Sequence, residues 1–301
     1  MTGPALPVTV IGGYLGAGKT TLVNHLLRSS GLRLAVMVNE FGALPIDRDL
    51  IEAEDEALIS ISGGCVCCEY GDDMVSALMK ITEMAPGLDH ILLESSGVAI
   101  PGSIMASLLF LDGLRGDGVV VMADAAGIRE TAANSYLTDT IQRQLDDADI
   151  VVLNKADLVA PEDLAATRTW LRDHVPGTRI VEAEHGKVSP QVLLGAIPLP
   201  RQGHKVTGHA DALFQSRVLH PAEPVDAIVL ARGLAEGDLG LVRAKGYVPK
   251  PGGGMSLIQV VGSRWTVEDA GDSHAPGIVC IGLKATFDPA QLERLGQLDP
   301  V

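Results

Sequence analysis

The segment GYLGAGKTT at residues 13–21 has the residue types and the spacing of a phosphate-binding loop. It matches the pattern G-x-x-x-x-G-K-T between an apolar run and a helical pattern, which is the context that this chemistry needs. Glycine lets the backbone turn so that successive N–H groups point at phosphate oxygens, and a helix start adds positive potential there. A Gly-rich turn that matches by accident is the alternative. The predicted cradle for nucleotide phosphates consists of Gly13, Gly16, Ala17 and Gly18.

The side chains directly after this loop supply the groups that a nucleoside triphosphate and its metal ion need. Lys19 is predicted to neutralise the β- and γ-phosphates, which makes it both a binding residue and a catalytic candidate. Thr20 is predicted to bind Mg²⁺ through its hydroxyl oxygen, and Thr21 to donate a hydrogen bond to the α-phosphate. The loop therefore predicts a nucleoside triphosphate with Mg²⁺ as its ligand.

A second motif, N-K-x-D at Asn154, Lys155 and Asp157, follows the apolar run IVVL and is typical of a loop that reads guanine. The Asp157 carboxylate can accept hydrogen bonds from N1 and N2 of guanine, whereas adenine offers no such pair of donors and would leave the carboxylate unpaired. Asn154 can support the loop and one edge of the base, and the stem of Lys155 can lie along the ring. A plain strand-to-helix turn is the alternative. A second base loop is expected near residues 183–185, where the sequence does not identify it.

Two further segments carry carboxylates at positions that suit a magnesium ion and nucleotide-dependent switches. Glu94 ends an apolar run in LLESSG, where it can activate water, hold the metal or do both; a solvated strand end is the alternative. Gly97 in the same segment is predicted to let its N–H group approach the γ-phosphate. Asp47 lies in the loop after the second strand, where a switch can present it to Mg²⁺. Lys19, Glu94 and Asp47 are the catalytic candidates.

Cys65, Cys67 and Cys68 form the motif C-x-C-C within GGCVCC. Thiolates at this spacing can point at one soft cation such as Zn²⁺ or Co²⁺, with water, Glu40 or a ligand from a partner in the fourth position. An open site of this kind suits transfer of a metal better than storage. A redox pair or buried thiols are the alternatives. Cys280, in the apolar run GIVCIG, is expected to be a core thiol.

Composition limits the kinds of protein that this chain can be. Its 301 residues are 47 % apolar and 20 % charged, and the formal charge is −15. An acidic chain is a poor candidate for binding nucleic acid through phosphate contacts. No apolar run approaches the roughly 20 residues that a transmembrane helix needs, and the first residues lack the basic start of a signal peptide. We therefore expect a cytoplasmic protein that contacts neither nucleic acid nor membrane.

Short apolar runs alternate with amphipathic stretches, which predicts an α/β fold with a doubly wound, mostly parallel sheet of the P-loop NTPase type. A smaller C-terminal α+β domain is expected to follow it. The predicted domains are 1–200 and 214–301, with a linker at 201–213. The first domain is predicted to contain strands at 8–11, 34–38, 58–61, 91–93, 119–122 and 150–153 and helices at 19–28, 72–84, 131–147 and 161–174. Strands of the second domain are predicted at 214–219, 257–261 and 278–282.

Taken together, these segments resemble the CobW-like family (CobW/HypB/UreG type) of metal-handling P-loop GTPases. The segments that carry the resemblance are GYLGAGKTTLVNHLL, VNEFGALPID, GGCVCC, ESSGVAIP, QLDDADIVVLNKADL, LVRAKGYV and IQVVGSRW. The resemblance implies binding of GTP and GDP, hydrolysis of GTP with Mg²⁺, zinc or cobalt at C-x-C-C, and delivery of the metal to a client metalloprotein. Where many members of the family have a His-rich tract between the domains, this chain has only His204 and His209, so the resemblance does not extend to metal storage. A homodimer is a candidate assembly.

The order of the motifs suggests how nucleotide and metal are coupled. The three cysteines lie between Asp47 and Glu94, so a nucleotide that orders both switch candidates would also shape the thiolate cluster. We therefore expect a metallochaperone whose metal affinity depends on GTP, with slow intrinsic turnover because no catalytic arginine is apparent. The alternative is a GTPase that activates or assembles a metalloenzyme, similar to activators of nitrile hydratase, without carrying metal itself. A P-loop kinase or ATPase is disfavoured by N-K-x-D.

Overall fold

A parallel and an antiparallel sheet organise the chain in the computed structural model. The structure describes residues 5–38, 78–79, 81, 87–108, 110–194, 213–221, 224–270 and 274–296. The chain divides into two compact units between residues 196 and 197. The predicted strand at 58–61, most of the predicted helix at 72–84 and, apart from Leu213, the predicted linker lie outside the described residues.

The first unit contains a parallel sheet. Its strands within the described residues are β1 (Leu6–Gly13), β2 (Leu34–Val38), β3 (His90–Glu94), β4 (Leu114–Asp124), β5 (Ile150–Asn154) and β6 (Arg179–Glu182). They lie in the order β2-β3-β1-β4-β5-β6, and every neighbouring pair is parallel. Aliphatic residues cover both faces of these strands because helices pack on either side. The predicted α/β fold of the P-loop NTPase type is confirmed.

The order of the strands places the predicted motifs together. From β1 the chain runs outward to β2 and returns to β3, and it then crosses to β4 on the other side of β1. The carboxyl end of β1 is therefore the point at which the winding reverses, where ligands of such sheets bind. The end of β3 lies beside it, because Ile11 of β1 is in register with Glu94.

Helices connect the strands of this unit. Their bounds are α1 (Lys19–Ser29), α2 (Pro101–Leu108), α3 (Ile128–Ala133), α4 (Thr138–Asp146), α5 (Pro161–His174) and α6 (Pro190–Leu193). Proline at the first turn and two acidic residues after it start α5 as the sequence predicts. Within the part of the chain that the structure describes, no helix is both long enough and apolar enough to cross a membrane.

The single helix predicted at 131–147 is wrong, because the structure has α3 and α4 there with a turn between them. Asn134 leaves the helical conformation, with φ −72° and ψ 118°. Its Oδ1 atom accepts a hydrogen bond from the backbone N–H of Tyr136 at 3.0 Å. The asparagine side chain thus replaces the hydrogen bonds that a continuing helix would make. The second helix then starts at Thr138.

Among its described residues, the second unit contains an antiparallel sheet and two helices. Its elements are β7 (Phe214–Leu219), α7 (Ala227–Glu236), β8 (Leu241–Pro249), β9 (Met255–Val261), β10 (Arg264–Ala270), β11 (Gly277–Leu283) and α8 (Pro289–Leu295). The strand order is β10-β9-β8-β11-β7. Asp226 and Asp288 each accept two backbone N–H groups at the starts of α7 and α8. The expected small α+β domain is confirmed, and it contains two strands, β8 and β10, that the sequence patterns did not predict.

Candidate functional site

The phosphate loop connects the end of β1 to the start of α1. Gly13, Gly16 and Gly18 have φ of +124°, +74° and +102°, which is the left-handed region that glycine adopts without strain. Gly18 directly precedes the first residue of α1, so the loop ends at a helix N-terminus, where free backbone N–H groups attract phosphate. Ala17, between the last two glycines, is buried. The backbone therefore has the left-handed glycines that a phosphate cradle needs, and phosphate binding here stays a prediction from the sequence.

The buried side chain of Lys19 folds back over this loop. Its Nζ atom donates hydrogen bonds to the carbonyl oxygens of Gly13 at 2.9 Å and of Tyr14 at 3.3 Å. These carbonyls hold the ammonium group beside the cradle, where phosphate charge would lie. Thr21, predicted to donate to the α-phosphate, is exposed in the first turn of the helix.

Thr20 and Glu94 meet although they are far apart in the chain. The Thr20 hydroxyl donates to Glu94 Oε1 at 2.9 Å, and Glu94 is only 2 % exposed. Hydroxyl and carboxylate oxygens next to a phosphate loop are the ligand types that Mg²⁺ prefers. The residues present therefore fit a magnesium ion, which these two side chains would hold.

The turn after Glu94 packs against the phosphate loop. The backbone N–H of Ser95 donates to Ile11 of β1 at 2.9 Å, which extends the contact between the two strands. A Cβ atom at Gly97 would lie 2.8 Å from the backbone nitrogen of Leu15. Only glycine fits this approach, so Gly97 lies beside the phosphate loop as its proposed contact with a γ-phosphate requires.

Asn154 links the base-reading motif to the phosphate loop. Its Nδ2 atom donates to the carbonyl oxygen of Ala17 at 2.9 Å, and its Oδ1 atom accepts from the N–H of Gly186 at 2.9 Å. The residue next to it, Lys155, has φ +61° and extends its Nζ atom to Asp124 Oδ2 at 2.6 Å. Asp124 is a residue of the site that the sequence did not single out. Its position at the carboxyl end of an apolar strand was the available signal.

The loop at 183–186 lies beside the base-reading motif. The N–H of Ala183 donates to Leu153 at 2.9 Å, and the carbonyl of Ala183 accepts from Ala156 at 3.1 Å. His185 Nε2 lies 3.7 Å from Asp157 Oδ2, and these side chains are 70 % and 26 % exposed. The second base loop expected near 183–185 therefore has a position from which it can contact a base held by Asp157.

The predicted metal ligands Glu40, Cys65, Cys67 and Cys68 and the switch residue Asp47 lie outside the described residues. Within the described ranges, no group of three or more His, Cys, Asp or Glu side chains is placed to hold a metal ion. The structure thus brings together the residues predicted to bind phosphate, magnesium and the base, and all of these roles, like that of the cysteine motif, remain predictions from the sequence.

Comparisons with known proteins identify the family that this chain resembles. A family model described as "CobW/HypB/UreG, nucleotide-binding domain" matches residues 7–182. The chain is 29 % identical to "Zinc chaperone CobW" of Sinorhizobium sp, over 92 % of this chain and 93 % of that protein. It is 32 % identical to "Zinc-regulated GTPase metalloprotein activator 1" of Schizosaccharomyces pombe, over 61 % of this chain and 47 % of that protein. The crystal structure of the Zn(II)-bound YjiA GTPase from E. coli is 23 % identical, with a TM-score of 0.49 over 97 % of this chain and 98 % of that chain.

Proposed function

This chain belongs to the CobW/HypB/UreG family of nucleotide-binding proteins, and we propose that it is a GTPase that carries zinc or cobalt to a client metalloprotein. The observation that carries the nucleotide part is a pair of hydrogen bonds at the Asn154 carboxamide, which donates to the carbonyl oxygen of Ala17 and accepts from the N–H group of Gly186. These bonds join the phosphate loop to the base-reading loop, so one nucleotide can contact both. The relatives named zinc chaperone and zinc-regulated GTPase support the metal part.

Guanine is favoured as the base because of Asp157. Its carboxylate can accept from the two neighbouring N–H donors of guanine, which adenine lacks. The Asp157 side chain is 26 % exposed, and a bound base would cover this exposed part. A base without the two donors would then leave the carboxylate desolvated and without hydrogen bonds, which costs free energy. Lys155 is held by Asp124 at 2.6 Å, which fixes the loop that presents this carboxylate.

Hydrolysis is assigned to the end of the site at which Lys19, Thr20 and Glu94 lie. Lys19 binds phosphate oxygens and orients the terminal phosphoryl group. Thr20 and Glu94 would hold Mg²⁺, whose charge stabilises the negative charge that develops on those oxygens. The Glu94 carboxylate is also our candidate for the group that activates the attacking water. We expect slow turnover because the sequence assigns no arginine to this chemistry.

The metal is the cargo of the proposed function. Cys65, Cys67 and Cys68 supply thiolates at a spacing that suits Zn²⁺ or Co²⁺. In the chain they lie between Asp47 and Glu94, two residues assigned to the nucleotide site. We infer that GTP binding tightens the thiolate site and that hydrolysis loosens it. The reason is that a change of conformation at Asp47 and Glu94 would be transmitted to the cysteine segment between them.

An anaerobic Co²⁺ titration with Mg·GTP, with Mg·GDP and without nucleotide tests this function. Thiolate-to-cobalt charge-transfer absorption reports ligation, and a Zn²⁺ competition gives the affinity for zinc. The variant Cys67→Ser removes one proposed ligand. Cys280→Ala is the matched control because it removes the buried cysteine of β11, in the other unit.

We expect tighter cobalt binding with GTP than with GDP, lost in Cys67→Ser and kept in Cys280→Ala. Equal binding in all three nucleotide states would overturn the coupling. Absence of thiolate ligation would overturn the carrier function and favour an activator GTPase that remodels a metalloenzyme without carrying metal. The name of the S. pombe relative, a metalloprotein activator, supports that second candidate.

A further inference from the structure

The last turn of α4 lies against the turn that follows Glu94. Gln144 is 1 % exposed, and its Nε2 atom donates to the carbonyl oxygen of Gly97 at 3.2 Å and of Ala99 at 2.8 Å. A primary amide has two N–H donors, so one side chain can bond both carbonyl oxygens. Gln144 belongs to the segment QLDDAD, to which the proposed nucleotide chemistry assigns no role.

Asp147, at the C-terminal end of the same helix, holds the other end of this turn. Its Oδ2 atom accepts from the backbone N–H of Gly102 at 2.8 Å, within the first turn of α2. A Cβ atom at Gly102 would overlap the Asp147 carboxylate, so only a glycine lets the backbone of α2 approach this carboxylate so closely. Two side chains three positions apart thus fix residues 97–102 at both ends.

The opposite side of this turn faces the phosphate loop. Gly97 packs on Leu15, and Ser95 is bonded to Ile11. Gln144 bonds only carbonyl oxygens, so these bonds do not consume the N–H group of Gly97. Helix α4 therefore fixes the turn on the side away from the phosphate loop, through bonds that leave the Gly97 N–H group able to donate to a phosphate oxygen.

We propose that Gln144 and Asp147 are positioning residues that hold the Gly97 turn where it contacts the γ-phosphate of GTP. This inference rests on the proposed function. GDP has no γ-phosphate, so loosening the turn weakens binding of GTP and slows hydrolysis without weakening binding of GDP. A purely structural role would lower the affinity for both nucleotides together.

The same helix provides matched controls. Gln142 Nε2 and Asp146 Oδ1 bond to each other at 2.8 Å on the exposed surface of α4. Gln144→Leu is therefore compared with Gln142→Leu, and Asp147→Ala with Asp146→Ala. Each protein is titrated with GDP and with a non-hydrolysable GTP analogue in the presence of Mg²⁺, and phosphate release from GTP is measured under saturating nucleotide.

We expect Gln144→Leu and Asp147→Ala to lower the affinity for the GTP analogue and kcat by about tenfold, with GDP affinity unchanged. Both controls should match the wild type. Should Gln144→Leu fail to fold, seen as a lost cooperative transition in urea unfolding, Asp147→Ala decides alone. Equal losses for GDP and the analogue, or variants that match their controls, overturn the inference and leave the proposed function intact. A wild type that binds neither nucleotide overturns both.

Discussion

Asn154 donates from Nδ2 to the carbonyl oxygen of Ala17 at 2.9 Å, although 137 positions of the chain separate the two residues. The same carboxamide accepts from Gly186 at 2.9 Å. Both bonds are buried, so neither partner can exchange this side chain for water without a cost. One side chain thus joins the predicted phosphate loop to the loop at residues 183–186.

The variant Asn154→Ala tests this link. We expect GTP and GDP affinity to fall by the same factor, because both nucleotides use the phosphate loop and the base loop. The free energy of unfolding should fall by about 1–3 kcal/mol, because the Gly186 N–H and the Ala17 carbonyl lose their partner. Fluorescence titration and urea unfolding measure the two effects. Gln142→Ala, on the exposed surface of α4, is the control, and a loss confined to GTP would contradict the argument.

Asp157→Asn tests the assignment of the base. The loss of a charged acceptor for two guanine donors should lower GTP affinity by an amount that corresponds to about 1.5–3 kcal/mol, while ATP affinity stays low. Competition titrations with both nucleotides give the selectivity. Asp163→Asn is the control because its side chain is 69 % exposed on α5. Unchanged preference for GTP in Asp157→Asn would show that another group reads the base.

Glu94→Gln tests the magnesium pair. Glutamine keeps the volume and can still accept from the Thr20 hydroxyl, but it removes the negative charge. We expect Mg²⁺ to strengthen GTP binding less than in the wild type and hydrolysis to fall by roughly 100-fold. Phosphate release and nucleotide titration over a series of Mg²⁺ concentrations measure this. Glu182→Gln, at the end of β6 in the same sheet, is the control; equal effects of both variants would contradict the assignment.

His25 makes the stability of the first unit depend on pH. Burial of the imidazole lowers the pKa of His25, despite a hydrogen bond to the Val188 carbonyl at 3.0 Å. As the pH falls below about 6.5, the ordinary pKa of histidine, His25 becomes protonated in the unfolded chain but remains neutral in the folded chain. The free energy of unfolding therefore decreases as the pH falls. His25→Gln should weaken this dependence between about pH 7.5 and pH 5.5, measured by urea unfolding. His174→Gln on the exposed end of α5 is the control, and identical slopes in all three proteins would contradict the prediction.

Much of the first unit could be predicted because its pattern is local. Strands β1 and β5 are nearly unbroken apolar runs that lead directly into glycine-rich or Asn/Asp loops. The division of the predicted helix at 131–147 was not visible, because a single side chain, Asn134, ends α3 by bonding Tyr136. The spacing of apolar residues predicts which face of a helix is buried. It does not predict a local hydrogen bond from a side chain to the backbone that ends the helix.

The missed parts of the site depend on contacts between distant residues. Gln144 and Gly97 are 47 positions apart, and Lys155 and Asp124 are 31 apart. In the sequence Gln144 is one polar residue of an amphipathic helix, and only the packing of α4 on the turn makes it a donor. The motifs therefore predict which groups would contact the nucleotide, whereas the residues that hold those groups in place could be found only from the fold.

Burial raises the pKa of the Cys280 thiol to about 12, and its strand β11 is bonded on both sides, to β7 and to β8. Because the thiolate is the reactive form, a thiol-directed dye at neutral pH leaves Cys280 unlabelled while the sheet is closed. Labelling of this residue, followed by mass spectrometry of its peptide, therefore times the opening of the second sheet. The rate of labelling at this native cysteine thus reports how fast the second sheet opens, and no cysteine has to be introduced for the measurement.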